Sequence, residues 1–242
     1  MSKRVKDKKQ AARIVRDQMA KERRQQRAMW ITAGAVALLV IAGLVGFAVW
    51  QSQKPTTFAT PASAVDDGGK QSGLVSAGTG PVTVEVYLDY MCPVCKQFEA
   101  SAQPTLDQLI VDNKIRLVWH TLGFLDGQST TKYSTRASSA SACAADGGKL
   151  KEFGEALYAR QPAEGGPGLT DDELISIGGQ VGLNAPSFAQ CVRDGKYKTW
   201  VNHVNEAAAK RGVNGTPTVF INGKLIDDRT PAGIKAAVAA AS

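Results

Sequence analysis

The chain has 242 residues, enough for one large domain or two small ones, and a formal net charge of +7. Residues 1–30 contain 11 Lys and Arg against 3 Asp and Glu, whereas the remaining residues contain 18 against 19. This distribution excludes a uniformly basic folded domain and marks a basic tail, a type of segment that contacts nucleic acid or anionic lipid. Membrane topology explains the tail more simply, because an apolar segment follows it directly.

The apolar segment covers residues 31–50, which contain no charged side chain and one polar residue, Thr32. A helix of 20 such residues spans the hydrocarbon core of a bilayer. Trp30 and Trp50 bracket the segment as interfacial aromatic residues do, and the preceding positive charges place the N-terminus inside. We therefore predict a cytoplasmic tail over 1–30 and one transmembrane helix over 31–50, with the lipid bilayer as a partner and the rest of the chain outside the cytoplasm.

A cleaved signal peptide is the alternative interpretation of this segment. The apolar stretch is longer than the apolar h-region of a usual signal peptide, which has roughly 7–15 residues. The small-residue pattern at 62–64, which resembles a cleavage site, lies well beyond the end of this stretch. An uncleaved anchor is therefore favoured. Residues 51–72 are rich in Pro, Thr, Ser, Ala and Gly, a composition that predicts a flexible tether before a folded domain beginning near Gly73.

The most informative stretch follows a predicted strand. Apolar and polar residues alternate over 82–88, as in a β-strand, and Cys92-Pro93-Val94-Cys95 comes directly after it. Proline is favoured at the first position of a helix, so Cys92 should face unpaired backbone N–H groups that stabilise its thiolate. Cys95 lies one turn later on nearly the same face, within reach of a disulfide. The pattern predicts thiol–disulfide exchange, with Cys92 attacking and Cys95 resolving.

The predicted order of elements in the domain is strand–helix–strand, then a helical block, then helix–hairpin–helix. We expect Pro104 to kink or break the helix after Cys92, and residues 115–120 to form a second strand parallel to the first. Asn222-Gly223 between two apolar runs predicts a β-hairpin. The predicted helices cover 133–146, 149–160, a segment opened by the capping-box pair Thr170 and Glu173, a segment starting near Pro186, 197–211 and 231–241.

Cys143 and Cys191 lie on two of the predicted helices. In an oxidising compartment a mutual disulfide is favoured, contributing roughly 3–4 kcal/mol, while two buried free thiols remain the alternative. A zinc site is disfavoured because only one pair of the four cysteines, Cys92 and Cys95, has the spacing of metal ligands. We therefore predict no metal. His120 and His203 are isolated and expected to be structural or exposed.

These motifs resemble the DsbA-like thiol:disulfide oxidoreductases, which have a thioredoxin-like α/β fold with an inserted helical domain. The residues that carry the resemblance are Pro81-Val82-Thr83-Val84, Asp89-Tyr90-Met91-Cys92-Pro93-Val94-Cys95 and Gly212-Val213-Asn214-Gly215-Thr216-Pro217-Thr218. The resemblance covers roughly residues 73–242, with the insertion at about 126–195.

The resemblance implies several properties. The bond between Thr216 and Pro217 is cis in that family and packs against the active-site disulfide, and the residue at the Thr216 position offers backbone hydrogen bonds to a substrate strand. Unfolded or reduced secreted proteins are the expected substrates, bound on exposed apolar surface around Met91, Val94 and Pro217. A membrane partner of the DsbB or VKOR type is the expected reoxidant. No cofactor is expected beyond the redox-active disulfide itself, and no nucleic-acid partner.

The sequence departs from the family pattern at two positions. The family commonly has an acidic residue six positions before the first cysteine, where this chain has Val86, and Glu85 points to the opposite face of the strand. Because Val86 cannot accept a proton, we expect Asp89 or water to accept the proton of the buried thiol, Cys95. Val94 occupies the position of a histidine in well-known members, which predicts a milder oxidant.

Three other functions remain open at this point. The same chemistry can run as a membrane-tethered reductase or isomerase. The domain can also be a non-catalytic binding or assembly module that keeps the fold, and the basic tail can carry a lipid or nucleic-acid contact.

Overall fold

The computed structural model describes residues 29–30, 33–47, 58–65 and 71–242. The chain divides into two units, Met1–Thr57 and Phe58–Ser242. Described residues of the first unit are helical and exposed, and no helix within the described ranges is both long and apolar enough to cross a bilayer. Most of the expected basic tail, and both ends of the expected transmembrane segment, lie outside the described residues.

The second unit is built on a mixed sheet of six strands within its described residues. The strands are β1 (Ala64–Val65), β2 (Gly73–Ala77), β3 (Val82–Leu88), β4 (Ile115–Thr121), β5 (Thr218–Ile221) and β6 (Lys224–Leu225). Their spatial order is β1-β2-β4-β3-β5-β6, with β3 and β4 parallel and the other pairs antiparallel. The strand predicted from the alternation over 82–88 is confirmed, and both of its faces are largely buried because helices cover the sheet.

Helix α1 (Pro93–Val111) connects β3 to β4. Pro104 was expected to kink or break this helix; it does not break it, because the helix runs through Pro104 without interruption. Proline removes one backbone hydrogen bond and leaves the carbonyl four residues earlier without its helical donor. Both Ala100 and Pro104 are exposed, so water can satisfy that carbonyl.

Five α-helices, preceded by a short 3-10 helix (Asp126–Gln128), lie between β4 and β5, in a stretch of the chain that the structure describes fully. They are α2 (Tyr133–Asp146), α3 (Leu150–Ala159), α4 (Asp171–Gln180), α5 (Pro186–Arg193) and α6 (Lys198–Lys210), followed after the hairpin by α7 (Pro231–Ala241). The predicted capping box is confirmed, since Thr170 accepts from the backbone of Glu173 and Glu173 accepts from the backbone of Thr170. Cys143 on α2 and Cys191 on α5 are joined by a disulfide with 6.0 Å between their Cα atoms.

The segment before β2 differs from the expected tether. Within 51–72, residues 58–65 belong to the second unit, so its described part begins at Phe58 rather than near Gly73. Strand β1 pairs with β2, and the ring of Phe58 lies 4.7 Å from that of His203. The short β1 covers an edge that β2 would otherwise expose.

Candidate active site

The turn from β3 into α1 presents Cys92 at the start of the helix. Cys92 is the N-cap residue in an extended conformation (φ −74°, ψ 117°), and Pro93 takes the first helical position. The Cys92 backbone N–H donates to the Asp89 carbonyl (3.1 Å), which closes the turn. Helix geometry then places Cys95 one turn further on, with its own N–H donating to the Cys92 carbonyl (3.1 Å).

The two thiols are free in this structure and differ strongly in acidity. A hydrogen bond from the Cys95 thiol is the largest of the effects that together lower the pKa of Cys92 to about 5; the Thr216 side chain and the backbone N–H groups of Cys95 and Val94 act in the same direction, and partial burial opposes them. Burial raises the pKa of Cys95, which is 1% exposed, and its hydrogen bond to Cys92 raises it too. Cys92 is thus the thiolate and Cys95 the protonated partner, and the neighbouring thiol contributes more than the helix N-terminus that the sequence pointed to.

The loop before β5 meets this turn because of strand register. Thr218 pairs with Tyr87 across β5 and β3, which brings the start of β5 beside the end of β3. The Thr216–Pro217 peptide bond is cis, and the Cys92 Sγ lies 3.5 Å from the Thr216 carbonyl oxygen, which accepts a hydrogen bond from Cys92 when that thiol is protonated. The structure therefore brings together the two motifs that lie 124 positions apart.

The surface around the thiols is less apolar than expected. Val94 is 53% exposed and Pro93 is exposed beside it, but Met91 is fully buried and Pro217 is buried. The expectation of exposed apolar surface at Met91 and Pro217 is wrong, because both residues pack inward to hold the turn and the cis-proline loop. The exposed apolar surface at the site consists of Pro93 and Val94.

Asp89 is fully buried and organises the turn. Its Oδ1 accepts from the Met91 N–H (2.9 Å) and the Ser134 hydroxyl (2.7 Å), and its Oδ2 accepts from the Leu125 N–H (2.9 Å). Burial nevertheless raises the pKa of Asp89 to about 6. Within the described part of the chain, this carboxylate makes no hydrogen bond to either thiol. Its hydrogen bonds instead connect the end of β3 to Leu125 and Ser134.

Sequence reasoning missed two further residues of the insertion. Gln161 donates from Nε2 to the carbonyls of Tyr90 (3.0 Å) and Cys92 (2.9 Å), and the Tyr158 hydroxyl donates to the Asp89 carbonyl (3.3 Å). Both lie at or just beyond the end of α3, where no motif marks them. They tie the end of α3 to the turn, because each of the Asp89 and Cys92 carbonyls, which already accept from backbone N–H groups, gains a further hydrogen bond, and the Tyr90 carbonyl gains one as well.

Glu85 belongs to a separate network on the sheet. Its carboxylate is hydrogen-bonded by both guanidinium nitrogens of Arg211, and the His120 Nε2 lies 3.2 Å from its Oε2. Although burial opposes it, these two partners lower the pKa of Glu85 to about 2. His120 is fully buried and stacks on Tyr87 at 4.1 Å, as expected of a structural histidine.

Comparison with known proteins places this geometry in a family. The family model described as thioredoxin matches residues 77–240. The chain belongs to the thioredoxin family. Two solved structures place this thioredoxin-family domain among the DsbA-like thiol:disulfide oxidoreductases: reduced DsbG and reduced DsbA, both from Mycobacterium tuberculosis. The DsbG structure is 30% identical with a TM-score of 0.59, and the match covers 67% of this chain and 82% of DsbG. The DsbA structure is 28% identical with a TM-score of 0.58, and the match covers 71% of this chain and 98% of DsbA.

A curated relative carries a different name. The serine/threonine-protein kinase PknE of Mycobacterium tuberculosis is 32% identical over 198 residues, which is 75% of this chain. The thioredoxin-family chain spans 35% of the length of that kinase, so the kinase activity belongs to that protein and is not transferred here.

Proposed function

We propose that this protein is a membrane-anchored, extracytoplasmic thiol:disulfide oxidoreductase that forms disulfides in secreted or envelope proteins. The observation that carries the proposal is the pair of opposed thiol acidities at 92 and 95: Cys92 has a pKa of about 5, while burial raises that of Cys95. A low pKa makes Cys92 a good leaving group and stabilises the reduced site relative to its disulfide. A site whose reduced form is stabilised is an oxidant.

The exchange proceeds through a mixed disulfide. A substrate thiolate attacks the Cys92 sulfur of the oxidised pair, a substrate–Cys92 bond forms, and Cys95 leaves with the electron pair and takes up a proton. A second substrate thiolate then attacks the substrate sulfur of the mixed disulfide and releases Cys92 as a thiolate. The substrate gains a disulfide, and the enzyme retains two electrons and must be reoxidised.

The two site loops give the substrate a place to bind. Thr216 is half-buried beside Cys92, and the exposed Pro93 and Val94 provide a small apolar surface. An extended segment of a reduced, unfolded protein suits this surface, because its backbone can pair with the loop before β5. The family resemblance supports a DsbB- or VKOR-type membrane protein as the reoxidant.

The location rests on two supports. The 20-residue uncharged stretch at 31–50 behind a basic segment fits a signal anchor, and residues 33–47 are helical. The disulfide between Cys143 and Cys191 suits an oxidising compartment. In intact cells, a membrane-impermeant maleimide should label Cys92, and deletion of 31–50 should release the domain from the membrane; labelling that requires lysis would contradict this location.

The reduction potential tests the direction of the chemistry. After equilibration with glutathione buffers, an oxidase should have a potential well above about −230 mV, and the absence of a histidine at 94 should keep it below the roughly −120 mV of the strongest oxidant. A value near −270 mV, that of thioredoxin, would instead assign the protein as a tethered reductase. Failure of reduced Cys92 to react with a thiol reagent would leave a non-catalytic binding module.

A further inference from the structure

A cleft beside the active-site turn is lined by polar side chains that the exchange chemistry does not use. Its volume is about 420 Å³, within the roughly 300–1,000 Å³ of ligand pockets. The cleft follows one side of α1 from Lys96, which comes four residues after Cys92, to Asp107, and the end of α3 forms its opposite side. Its apolar walls are formed by Ala100, Pro104, Tyr158 and Ala159. One end of the cleft therefore lies a helical turn from the residue that a substrate thiolate attacks.

Two buried oxygen atoms in this cleft lack hydrogen-bond donors. Glu99 is 7% exposed and Gln103 is 6% exposed, and both side chains line the cleft. Within the described residues, neither the Glu99 Oε1 nor the Gln103 Oε1 has a hydrogen-bond partner. The two residues are four apart on α1, so they are neighbours on one face of the helix. Because buried polar atoms in folded proteins are nearly always paired, this pair of acceptors indicates a place for a donor from another molecule.

The donors nearest to these oxygens are already engaged. The Gln103 Nε2 donates to the Asp107 Oδ1 (2.8 Å). Since a carboxylate only accepts, this bond requires the amide to present its nitrogen to Asp107 and leaves its oxygen for another partner. The Lys151 Nζ lies 3.3 Å from the Asp107 Oδ2 and 2.6 Å from the Glu155 Oε1. The cleft therefore has more acceptors than donors.

The charges around the cleft favour a cation. Three acids, Glu99, Asp107 and Glu155, face two lysines, Lys96 and Lys151. Burial, and then the negative charge of Glu155, raise the pKa of Glu99 to about 7, against the attraction of Lys151. A cation at the Glu99 Oε1 would compensate this buried charge, which a neutral donor would not. In the described part of the chain no group of three or more His, Cys, Asp and Glu side chains is arranged to hold a metal ion, so an organic cation fits better.

We propose that the cleft is a subsite for a lysine or arginine side chain of the protein whose thiols are oxidised at Cys92. The methylene stem packs on the apolar walls, and the charged end, which has donors only, donates to the Glu99 Oε1 and the Gln103 Oε1. Glu99 and Gln103 follow Cys92 by seven and eleven residues. These separations correspond to about 10 and 16 Å along the helix, which an extended chain covers in about three to five residues. This inference rests on the proposed exchange at Cys92 and Cys95.

The test measures attack on Cys92 by peptides in which one lysine is moved along the chain. The full-length Cys95→Ala variant, in detergent, carries thionitrobenzoate on Cys92. The thiolate of a single-cysteine peptide forms a disulfide with Cys92 and releases the coloured thionitrobenzoate anion. Each rate constant is divided by that of the same peptide with the free reagent, which removes the effect of the lysine on the peptide thiol. Lysine three to five positions from the cysteine, on one side, should be about tenfold faster than norleucine at that position, as for one hydrogen bond to a charged group. Lysine one or two positions away should give a ratio near one.

Variants of the cleft identify the groups that bind the lysine. Glu99→Gln should abolish the preference, and Gln103→Leu should reduce it. Lys96→Gln removes a competing cation at the end of the cleft and should increase it. Glu206→Gln changes the net charge as Glu99→Gln does, but Glu206 is an exposed residue of α6 outside the cleft, so the preference should remain. Because every value is a ratio of two peptides within one variant, changes in the reactivity of Cys92 cancel.

The outcomes distinguish failure of the subsite from failure of the proposed function. A ratio near one at every lysine position, or a preference that Glu99→Gln and Gln103→Leu both leave unchanged, would overturn the subsite and leave the exchange chemistry intact. Failure of Cys92 to form the thionitrobenzoate adduct would overturn the proposed function as well.

Discussion

The domain contains two cysteine pairs in contrasting settings. Cys92 and Cys95 share one helix start, carry free thiols and have their pKa values pushed far apart. Cys143 and Cys191 lie on two different helices of the insertion and are already joined. The contrast teaches that burial does not distinguish a reactive pair, since Cys143 and Cys95 are both buried. What distinguishes it is a thiol at a helix start, with a second thiol and a loop oriented to stabilise its anion.

Removing the reactive sulfur should give the largest effect on activity. Cys92→Ser removes the sulfur that a substrate thiolate attacks, and with it the Cys92–Cys95 disulfide, so oxidation of a reduced, unfolded test protein should fall to background. Cys95→Ala keeps Cys92 but cannot resolve mixed disulfides, so these should accumulate on Cys92, where mass spectrometry detects them. It should also raise the pKa of Cys92, because the Cys95 thiol is the largest stabiliser of that thiolate. Equal activity of Cys92→Ser and wild type would show that the chemistry lies elsewhere.

Removing the second pair should affect stability instead. The double variant Cys143→Ala/Cys191→Ala opens a loop between positions 48 apart and should lower the free energy of unfolding by about 4 kcal/mol on the chain-entropy estimate. Its exchange rate at 25 °C should match that of wild type, because neither residue touches the turn at Cys92. Chemical denaturation and the exchange assay check the two halves of this prediction. Lost exchange in a folded double variant would show that the second pair relays electrons.

A smaller effect should come from the pH dependence of stability. The pKa of Glu99 is raised from 4.5 to about 7 in the folded protein, so its contribution is fully present below pH 4.5 and is lost as pH rises through 7. The loss should amount to at most about 3 kcal/mol. In Glu99→Gln this loss should disappear, which denaturation at pH 5 and pH 8 measures. Glu155→Gln, a more exposed neighbour, is the control and should retain most of the loss; an identical pH dependence in wild type and Glu99→Gln would contradict the assignment.

The same contrast separates what the sequence could predict from what it could not. The alternation over 82–88, the proline after Cys92 and the Asn222-Gly223 turn act locally, so strand, helix start and hairpin were all predictable. Strand β1 has two residues and no periodicity to detect. The inward packing of Met91, and the lack of a hydrogen-bond partner for the Glu99 Oε1 among the described residues, depend on which helices cover the turn. Local patterns carry no such information. The position of Glu99 on the same helix face as the apolar Phe98 and Ala102 was nevertheless a sequence feature that could have predicted its burial.

Cys92 should carry a thiolate at neutral pH, and the whole exchange reaction depends on this charge. Ultraviolet absorbance of the thiolate in the reduced protein, titrated between pH 3 and 10 with Cys92→Ser as the blank, measures it directly. We predict one transition near pH 5 that the blank lacks. A transition near pH 9 instead, the ordinary value for a thiol, would contradict the account.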